Sequence, residues 1–268
     1  MATKTQARGQ SMATVERATD LLSLFSASEA PDLGVTEIAN QLDLSKAVVH
    51  RLLTSLRGRE FVVLDETTRR YRLGTGALLL GLAALERLDV RELARPAMEA
   101  LSESTGETAT LSVRSGNQRI YVDQCAPERE VKMTVRVGQP FPLHAGASSK
   151  AFLAFVPAEE LDEYLTRDLE KLTDATVIDP DNLRNDLAAT RERGYAASFG
   201  ERQAGAASVA APVFDHGRRV VGVMSVCGPR ERFQPAAERA AELLVDAASD
   251  VSRKLGYKPA PEEQAGPT

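Results

Sequence analysis

The chain has 268 residues, 43% of them apolar and 26% charged, a composition typical of a globular protein with room for two compact domains. No apolar run reaches the roughly 18 residues that a membrane-spanning helix needs, and the polar first ten residues do not match a secretory signal. Cys125 and Cys227 lie far apart and outside any CxxC pair, which argues against a disulfide scaffold or a Cys-rich zinc site and favours a reducing, cytoplasmic location. The histidines at 50, 144 and 216 are not at ligand spacing, so we expect no metal and no cofactor.

The net charge of −5 is distributed unevenly along the chain. From Lys46 to Arg72 there are seven basic residues against three acidic ones, whereas the chain after residue 74 has 23 basic and 29 acidic residues. A locally basic segment on an acidic protein is typical of a DNA contact confined to one end. Charge by itself leaves a solvated surface as an equal alternative.

Apolar spacing predicts three helices near the amino terminus. The first covers Thr14–Ser26, with apolar residues at 15, 18, 21, 22 and 25. The second follows the loop SEAPDLG, begins with Thr36 as N-cap and ends at Asp43. Ser45 caps the third, which lies within LSKAVVHRLLTSL.

A short β-hairpin is predicted next, from Phe61–Leu64 and Arg70–Leu73 around the turn ETTR. Three helices, the last two separated by a tight turn, followed by a hairpin make a winged helix-turn-helix. We assign this domain to residues 11–74.

Leucines at 78, 82, 85 and 88 form a stripe that predicts one helix over 74–93. It begins where the winged module ends, so we interpret 75–93 as a linker helix and a dimer contact. The alternative is an ordinary core helix of the next domain.

Beyond this helix the pattern changes to mixed α and β. A helix over 94–105 precedes the strands ATLSVR and RIYVDQ, joined by SGNQ, and VKMTVRV alternates strictly as a further strand. HAGASSKAFLAF is predicted to be a loop leading into a helix over 150–155. SVAAPVFD and VVGVMSVCG form a hairpin around HGRR.

Two further helices complete the prediction. One begins at Asp179 and Pro180 and stops at Gly194, and the last runs from about Pro235 to Leu255. The fold class is therefore α+β, with an antiparallel sheet flanked by helices in a second domain over 94–258. Residues 259–268 are predicted to be a disordered tail.

The third helix has two distinct sides on a helical wheel. The apolar side, which docks on the other helices, comprises Val49, Leu52, Leu53 and Leu56. The opposite side is short or basic and suits a major groove entered N-terminal end first. The candidate DNA contacts are Thr36, Ser45, Lys46, Ala47, Val48, His50 and Arg51, with Arg69 and Arg70 on the wing. The alternative is the surface of a winged-helix protein-interaction domain.

Several spaced motifs resemble the IclR family of bacterial transcription regulators. They are TVERATDLLSLF, VTEIANQLDLSKAVVHRLLTSL, YRLGTGALLLG, PLHAGASSKAFLAF, RERGYA and SVAAPVFDHGRRVVGVMSVCGP, which together span roughly residues 13 to 255. The resemblance implies an N-terminal winged helix, a linker helix and a C-terminal GAF-like effector domain. It also implies dimers, often paired as tetramers, that act as repressors or activators, commonly of a catabolic operon.

The sequence departs from the family pattern at three places. Asp43 stands where the helix-turn-helix usually has Gly, and Asp tolerates a left-handed backbone at modest cost. Ala47 and Val48 replace hydroxyl side chains, so any borrowed operator sequence is in doubt. Cys227 stands where the family usually has Ser. The resemblance implies that this residue lines the effector pocket, so Cys227 makes that side of the pocket less polar.

The segment PLHAGASSK has the chemistry of an anion site. Gly146 and Ala147 leave space beside the backbone, and Ser148 and Ser149 precede a helix whose free amides and positive end suit a carboxylate. The alternative is a plain N-capped helix. On the later strand, Ser225 and Cys227 face the same side and could reach one ligand.

The resemblance places the effector pocket between these two segments. It also implies Tyr121, Asp123 and Met133 as lining residues, with a structural partner as the alternative for Asp123. The effectors that it implies are small organic acids, aromatic ones among them, and Met133, Leu143 and Cys227 are compatible with an aromatic acid.

Three other classes of protein are alternatives to a regulator. A thiol enzyme would pair a cysteine with His144 or His216, but no motif links them, so no catalytic residue is expected. A redox sensor would need an accessible thiol of low pKa, and the apolar neighbours of Cys227 argue otherwise. A protein-interaction adaptor would bind no DNA.

Overall fold

The computed structural model describes residues 3–28, 30–85 and 89–259. The chain divides into two compact units, Met1–Leu88 and Asp89–Thr268. Among the described residues, no helix combines the length and the apolar character needed to cross a bilayer.

The first unit is a winged helix-turn-helix. Its elements in chain order are α1 (Thr3–Ala27), α2 (Val35–Gln41), α3 (Lys46–Arg57), β1 (Val62–Leu64), β2 (Tyr71–Leu73) and α4 (Thr75–Leu85). Buried Leu21, Ile38, Val49, Leu53 and Val62 form the centre of its apolar core. The predicted order of helices and hairpin is confirmed.

Two predicted helix starts differ from the structure. α1 begins earlier than Thr14 because the preceding residues, although polar, include good helix formers and no Pro. The N-cap of α2 is Gly34 rather than Thr36. The Gly34 N–H donates to the carboxylate of Glu37 at 2.8 Å, so the helix starts one residue after Gly34 and Thr36 lies exposed in the first turn.

The turn between α2 and α3 has the predicted geometry. Asp43 has φ of 51°, in the left-handed region, and the Leu44 N–H donates to the Ala39 carbonyl at 2.9 Å. Ser45 is the N-cap of α3, since its hydroxyl accepts from the Val48 N–H. These local contacts fix the direction in which α3 leaves the turn.

The wing is an antiparallel hairpin in which Val62 pairs with Leu73 and Leu64 with Tyr71. The Asp65 carboxylate accepts from two N–H groups of the turn, which holds the pKa of Asp65 below its usual range. Leu33 and Tyr71 exchange two backbone hydrogen bonds, so the loop after α1 is joined to the wing.

The predicted continuous helix over 74–93 is not formed. α4 ends at Leu85, residues 86–88, including Leu88 of the predicted stripe, lie outside the described residues, and a new helix starts at Val90. The new helix starts at Val90 because Asp89 is its N-cap: the Asp89 carboxylate accepts a hydrogen bond from the Arg91 N–H. Leu78, Leu79 and Leu80 on α4 are each at least 60% exposed.

The second unit contains one antiparallel sheet of six strands in the order β5-β4-β3-β8-β7-β6. The strands are β3 (Thr108–Ser115), β4 (Gln118–Cys125), β5 (Pro140–Pro142), β6 (Ala196–Phe199), β7 (Ala206–Phe214) and β8 (Val220–Pro229). The helices are α5 (Val90–Thr105), α6 (Ala147–Leu153), α7 (Ala158–Leu165), α8 (Pro180–Arg193), α9 (Arg230–Phe233) and α10 (Ala237–Lys254), with a 3₁₀ turn over Gln234–Ala236. The predicted α+β class is confirmed; α7, α9, β5 and β6 were not predicted.

Strand alternation divides the core of this unit between the two faces of the sheet. Met224 and Val226 of β8 face α5 and α10, whereas Val223 faces the side covered by α6, α7 and α8. Ser225 and Cys227 point to the same side as Val223. The polar residues of β8 therefore face α6 rather than the larger apolar core.

The segment VKMTVRV is not a strand, contrary to the prediction. Its polar backbone groups are bonded by side chains instead of a neighbouring strand. Thr108 Oγ1 donates to the Met133 carbonyl at 2.5 Å, and the Val135 N–H donates to Gln124 Oε1 at 3.0 Å. Met133 and Val135 are half-buried between exposed neighbours, so the alternation in the sequence is real although the ladder is absent.

Candidate DNA-binding helix and ligand cavity

α3 presents a polar face to solvent. Val49, Leu52 and Leu53 are buried and hold the helix on the core. The predicted contact residues that are exposed on or beside α3 are Thr36, Ser45, Lys46, Ala47, His50 and Arg51. Val48 is half-buried against the apolar core, so less of it is available to a partner than predicted.

The basic residues of this unit differ in how far they are already paired. Lys46 and Arg51 form no ion pair with any described residue. Arg69, at the tip of the wing, lies 2.5 Å from Glu66 in an exposed pair. Lys46 and Arg51 are therefore free cations on α3, and the exposed Arg72 on β2 is likewise in no ion pair with a described residue.

Arg70 differs from its predicted role as a wing contact. Its guanidinium donates to Asp32 Oδ1 at 2.5 Å and to Glu37 Oε2 at 2.7 Å. It joins the wing to the start of α2, so its charge is largely committed within the domain.

In the second unit a cavity lies between β4, β8, the start of α6 and the loop after β6. The space among its lining residues is about 450 Å³ with open solvent included, and the enclosed cavity volume is about 20 Å³. Seven of the predicted effector residues line it: Tyr121, Met133, Gly146, Ala147, Ser148, Ser225 and Cys227. These residues come from four separate segments of the chain and are brought to one place by the fold.

Two predicted lining residues lie elsewhere. Asp123 is buried, and its carboxylate accepts from Arg91 at 3.3 Å and from Arg95 at 3.1 Å on α5. It is a structural partner, the alternative weighed from the sequence. Leu143 is fully buried in the core beneath α6 and α7, away from the cavity wall.

The loop that enters α6 is shorter than predicted. α6 begins at Ala147, so Ser148 and Ser149 belong to its first turn instead of preceding it. Gly146 is the N-cap and has φ of 90°, which a glycine adopts readily. Its N–H donates to Glu201 Oε2 at 3.2 Å, so a protein carboxylate already lies at this helix start.

Arg119 is the main cavity residue that the sequence analysis missed. It lies on β4, its exposed fraction is 1%, and its Nε donates to Ser149 Oγ at 2.8 Å. Its terminal nitrogens donate to Ser112 Oγ and Tyr121 OH, and its guanidinium carbon lies 4.2 Å from the centre of the Tyr121 ring. Burial lowers the pKa of Arg119, and the nearby charge of Arg202 adds to this effect.

Arg202 is the second cation on the cavity wall. It is partly exposed, and its guanidinium carbon lies 4.7 Å from the centre of the Phe141 ring. The loop that carries it is anchored by Glu201, which accepts a hydrogen bond from Lys150 Nζ at 2.6 Å. Lys150 also donates to Asp186 on α8 at 2.5 Å.

The groups that an enzyme or redox sensor would use are committed or protonated. Burial raises the pKa of Cys227 to about 11, so the thiol is protonated at neutral pH. His144 is buried, with its two ring nitrogens bonded to the Tyr164 hydroxyl and the Glu170 carbonyl. Within the described ranges, no group of three or more His, Cys, Asp or Glu side chains is placed to hold a metal ion.

A helix-turn-helix whose exposed third helix carries cations unpaired among the described residues, in a chain whose second unit has an arginine-lined cavity, defines the class of DNA-binding regulators. Comparison with known proteins agrees with this class. Residues 14–66 match the IclR helix-turn-helix domain, and residues 82–253 match the bacterial transcriptional regulator IclR C-terminal domain. The chain belongs to the IclR family and is a transcriptional regulator, not an enzyme.

Similar proteins include regulators known from sequence and from structure. The HTH-type transcriptional regulator KipR of Bacillus subtilis is 33% identical over 91% of this chain and 97% of its own length. Pseudomonas aeruginosa HmgR is 32% identical with a TM-score of 0.81, covering 92% of this chain and 99% of its own. An IclR homologue from Microbacterium hydrocarbonoxydans, solved with 4-hydroxybenzoate, is 26% identical with a TM-score of 0.58, covering 90% and 98%.

Proposed function

We propose that this regulator binds an operator with α3 in the major groove, and that a small organic acid in the cavity alters its hold on that operator. The observation that carries the first part is the exposed face of α3, where Lys46 and Arg51 have no ion-pair partner among the described residues. Arg51 would contact a base edge or a phosphate, and Ser45 with the first-turn amides would hold a phosphate. We expect it to act in the cytoplasm, where the chromosome is.

The short side chains of α3 support a close approach to DNA. Ala47 and the exposed part of Val48 can contact thymine methyl groups, and His50 can donate to a phosphate. On the wing, the exposed Arg69 is the better candidate for a backbone contact, because Arg70 is bound to Asp32 and Glu37.

We also propose that two copies of the chain pair through α4. Leu78, Leu79, Leu80 and Leu82 are exposed on this helix, an apolar surface of the kind that usually marks an interface. A two-fold dimer would read a pseudo-palindrome with half-sites about 34–36 Å apart. Two such dimers would form a tetramer, and a measurement of molecular size distinguishes it from a dimer.

Support for an organic acid effector comes from the cavity and from one relative. Arg119 and Arg202 make the cavity walls positive, and Ser148 adds a hydroxyl. The Microbacterium hydrocarbonoxydans homologue was solved with 4-hydroxybenzoate, an aromatic acid. We infer that the controlled genes handle such an acid, as in a catabolic operon.

A footprinting experiment tests the proposed function. DNase I protection on the DNA upstream of the chain's own gene should reveal two half-sites one helical turn, or a multiple of it, apart. Arg51→Ala should lose this protection, whereas Arg239→Ala on the exposed surface of α10 should retain it. Uniform, sequence-independent protection at moderate salt would count against an operator-binding role.

A further inference from the structure

The charged side chains on the cavity wall are all of one sign. Arg119 and Arg202 line the cavity, and the described lining residues include no Asp or Glu. The other lining residues are hydroxyl, amide, thiol or apolar. Two guanidinium groups thus face one small space without a carboxylate between them.

Two carboxylates close to cavity-lining residues are already paired with other cations. Glu201, next to Arg202 in sequence, is bonded to Lys150 Nζ and to the Gly146 N–H. Glu107, which packs against Gly228 at the end of β8, forms an ion pair with Arg232 at 2.6 Å. Glu201 and Glu107 therefore do not neutralise the positive charges of Arg119 and Arg202.

Arg119 leaves part of its hydrogen-bonding capacity unused. A guanidinium has five N–H groups, and three of those on Arg119 are given to Ser149, Ser112 and Tyr121. All three partners are neutral hydroxyls. A buried charge without a counter-ion is costly, and a bound carboxylate removes that cost.

The two arginines differ in depth. The Arg119 side chain is fully buried, whereas Arg202 is partly exposed. Their guanidinium carbons lie 4.9 and 4.7 Å from the centre of the same Phe141 ring. Because both residues also line the cavity, one bound molecule can contact both charges, the buried one of Arg119 and the partly exposed one of Arg202. Met133 and Val135 supply apolar wall for the body of that molecule.

We propose that the effector is a dianion with two carboxylate groups, one held by Arg119 in the interior and one by Arg202 at the opening. This inference rests on the proposed role of the cavity as the effector site. It narrows the class from organic acids in general to dicarboxylic acids. It also assigns the specificity for the second carboxylate to Arg202.

The test uses matched pairs of ligands on the full-length protein without DNA. Succinate, glutarate, adipate and terephthalate are each compared with their own monomethyl ester by thermal shift and calorimetry. At least one diacid should raise the melting temperature and bind about tenfold or more tightly than its ester, as expected for one lost charge-assisted contact. Inorganic phosphate is the comparison ligand, because it is a dianion whose two charges lie on one group instead of on two separate carboxylates.

Two variants assign the carboxylates to the arginines. Arg202→Gln should bind the diacid no more tightly than the monoester, because this variant lacks the partner of the second carboxylate and keeps Arg119 for the first. Arg119→Gln should bind neither, whereas Arg119→Lys should keep a weakened preference for the diacid. Arg202 forms no hydrogen bond with a described residue, so Arg202→Gln is informative even where the Arg119 variants are less stable. Arg239→Gln on α10 is the matched control.

Three results would overturn the inference: esters that bind as tightly as their diacids, an Arg202→Gln variant that retains the diacid preference, or a folded protein that binds none of the four diacids. Preference for inorganic phosphate over every diacid would also overturn it. Failure of the proposed function is seen separately. A protein that binds a diacid but no operator would contradict the regulatory role and leave the dicarboxylate site standing.

Discussion

Lys150 Nζ lies 2.6 Å from Glu201 Oε1, and both residues are buried, so an ion pair fastens α6 to the loop that carries Arg202. The same ammonium donates to Asp186 on α8. A lysine with an exposed fraction of 1% would be very costly without these two carboxylates. The pair therefore holds two walls of the cavity at a fixed separation.

Removing the lysine should destabilise the protein strongly. Lys150→Met leaves Glu201 buried without its cation and should lower the free energy of unfolding by about 3–5 kcal/mol, measured by urea denaturation. The double variant Lys150→Met, Glu201→Gln should recover part of the loss. Lys171→Met, which breaks an exposed pair with Asp174, is the control and should have no measurable effect. A Lys150→Met variant as stable as this control would show that the pair has no structural importance.

Arg51 should matter for DNA and not for folding. Its side chain is exposed on α3 and has no ion-pair partner among the described residues, so Arg51→Ala should leave the melting temperature unchanged. Operator binding should weaken by about 1–3 kcal/mol if Arg51 reads a base. If Arg51 contacts only a phosphate, the slope of log affinity against log salt concentration should instead become shallower by about one. Gel-shift titrations at several salt concentrations distinguish these cases, and an unchanged affinity would refute the placement of α3 in the groove.

Cys227 should be nearly inert in the folded protein. With a pKa of about 11, roughly one thiol in 3,000 is ionised at pH 7.5, so alkylation by iodoacetamide should be about 300-fold slower than for an ordinary cysteine. The rate should rise with pH towards 11 and become normal in urea. Mass mapping separates Cys227 from Cys125, whose pKa is also raised by burial. Fast alkylation of native Cys227 at pH 7.5 would revive the redox-sensor interpretation.

Asp123 is placed to couple the cavity to the first helix of the second unit. Tyr121, two residues before it on β4, lines the cavity, whereas a shift in the β3–β4 register turns Asp123 to the opposite face, where its carboxylate holds Arg91 and Arg95 of α5. We predict that Asp123→Asn leaves effector binding unchanged in calorimetry but reduces the effector's influence on operator affinity, a coupling typically worth about 1–3 kcal/mol. Glu99→Gln, which removes an exposed partner of Arg95, is the control. An effector response as large in Asp123→Asn as in the parent would exclude this route.

Features set by neighbouring residues could be predicted from the sequence. The cap at Ser45, the left-handed Asp43 and the helix from Pro180 to Gly194 depend on contacts within a few residues, and all three occur. The seven cavity residues follow from strand alternation and the small-residue loop together with the family resemblance. Whether they bind an effector stays a prediction.

Features set by residues far away in the chain could not be predicted from the sequence. VKMTVRV alternates like a strand, but Thr108 and Gln124 bind its backbone in place of a neighbouring strand. The carboxylate of Asp123 finds its partners on α5, 28 and 32 residues away. Arg119, in contrast, could have been predicted: it is two residues from Tyr121, so strand alternation places both on the same face of β4.

The most direct test of the account is a fluorescence anisotropy titration at one fixed, moderate salt concentration. A labelled duplex from upstream of the chain's own gene is compared with a scrambled duplex, with and without a cavity-binding acid. The account predicts clear preference for the natural duplex and a shift of its affinity by the acid, absent in Arg51→Ala and in Arg119→Gln respectively. Equal affinity for both duplexes under every condition would contradict it.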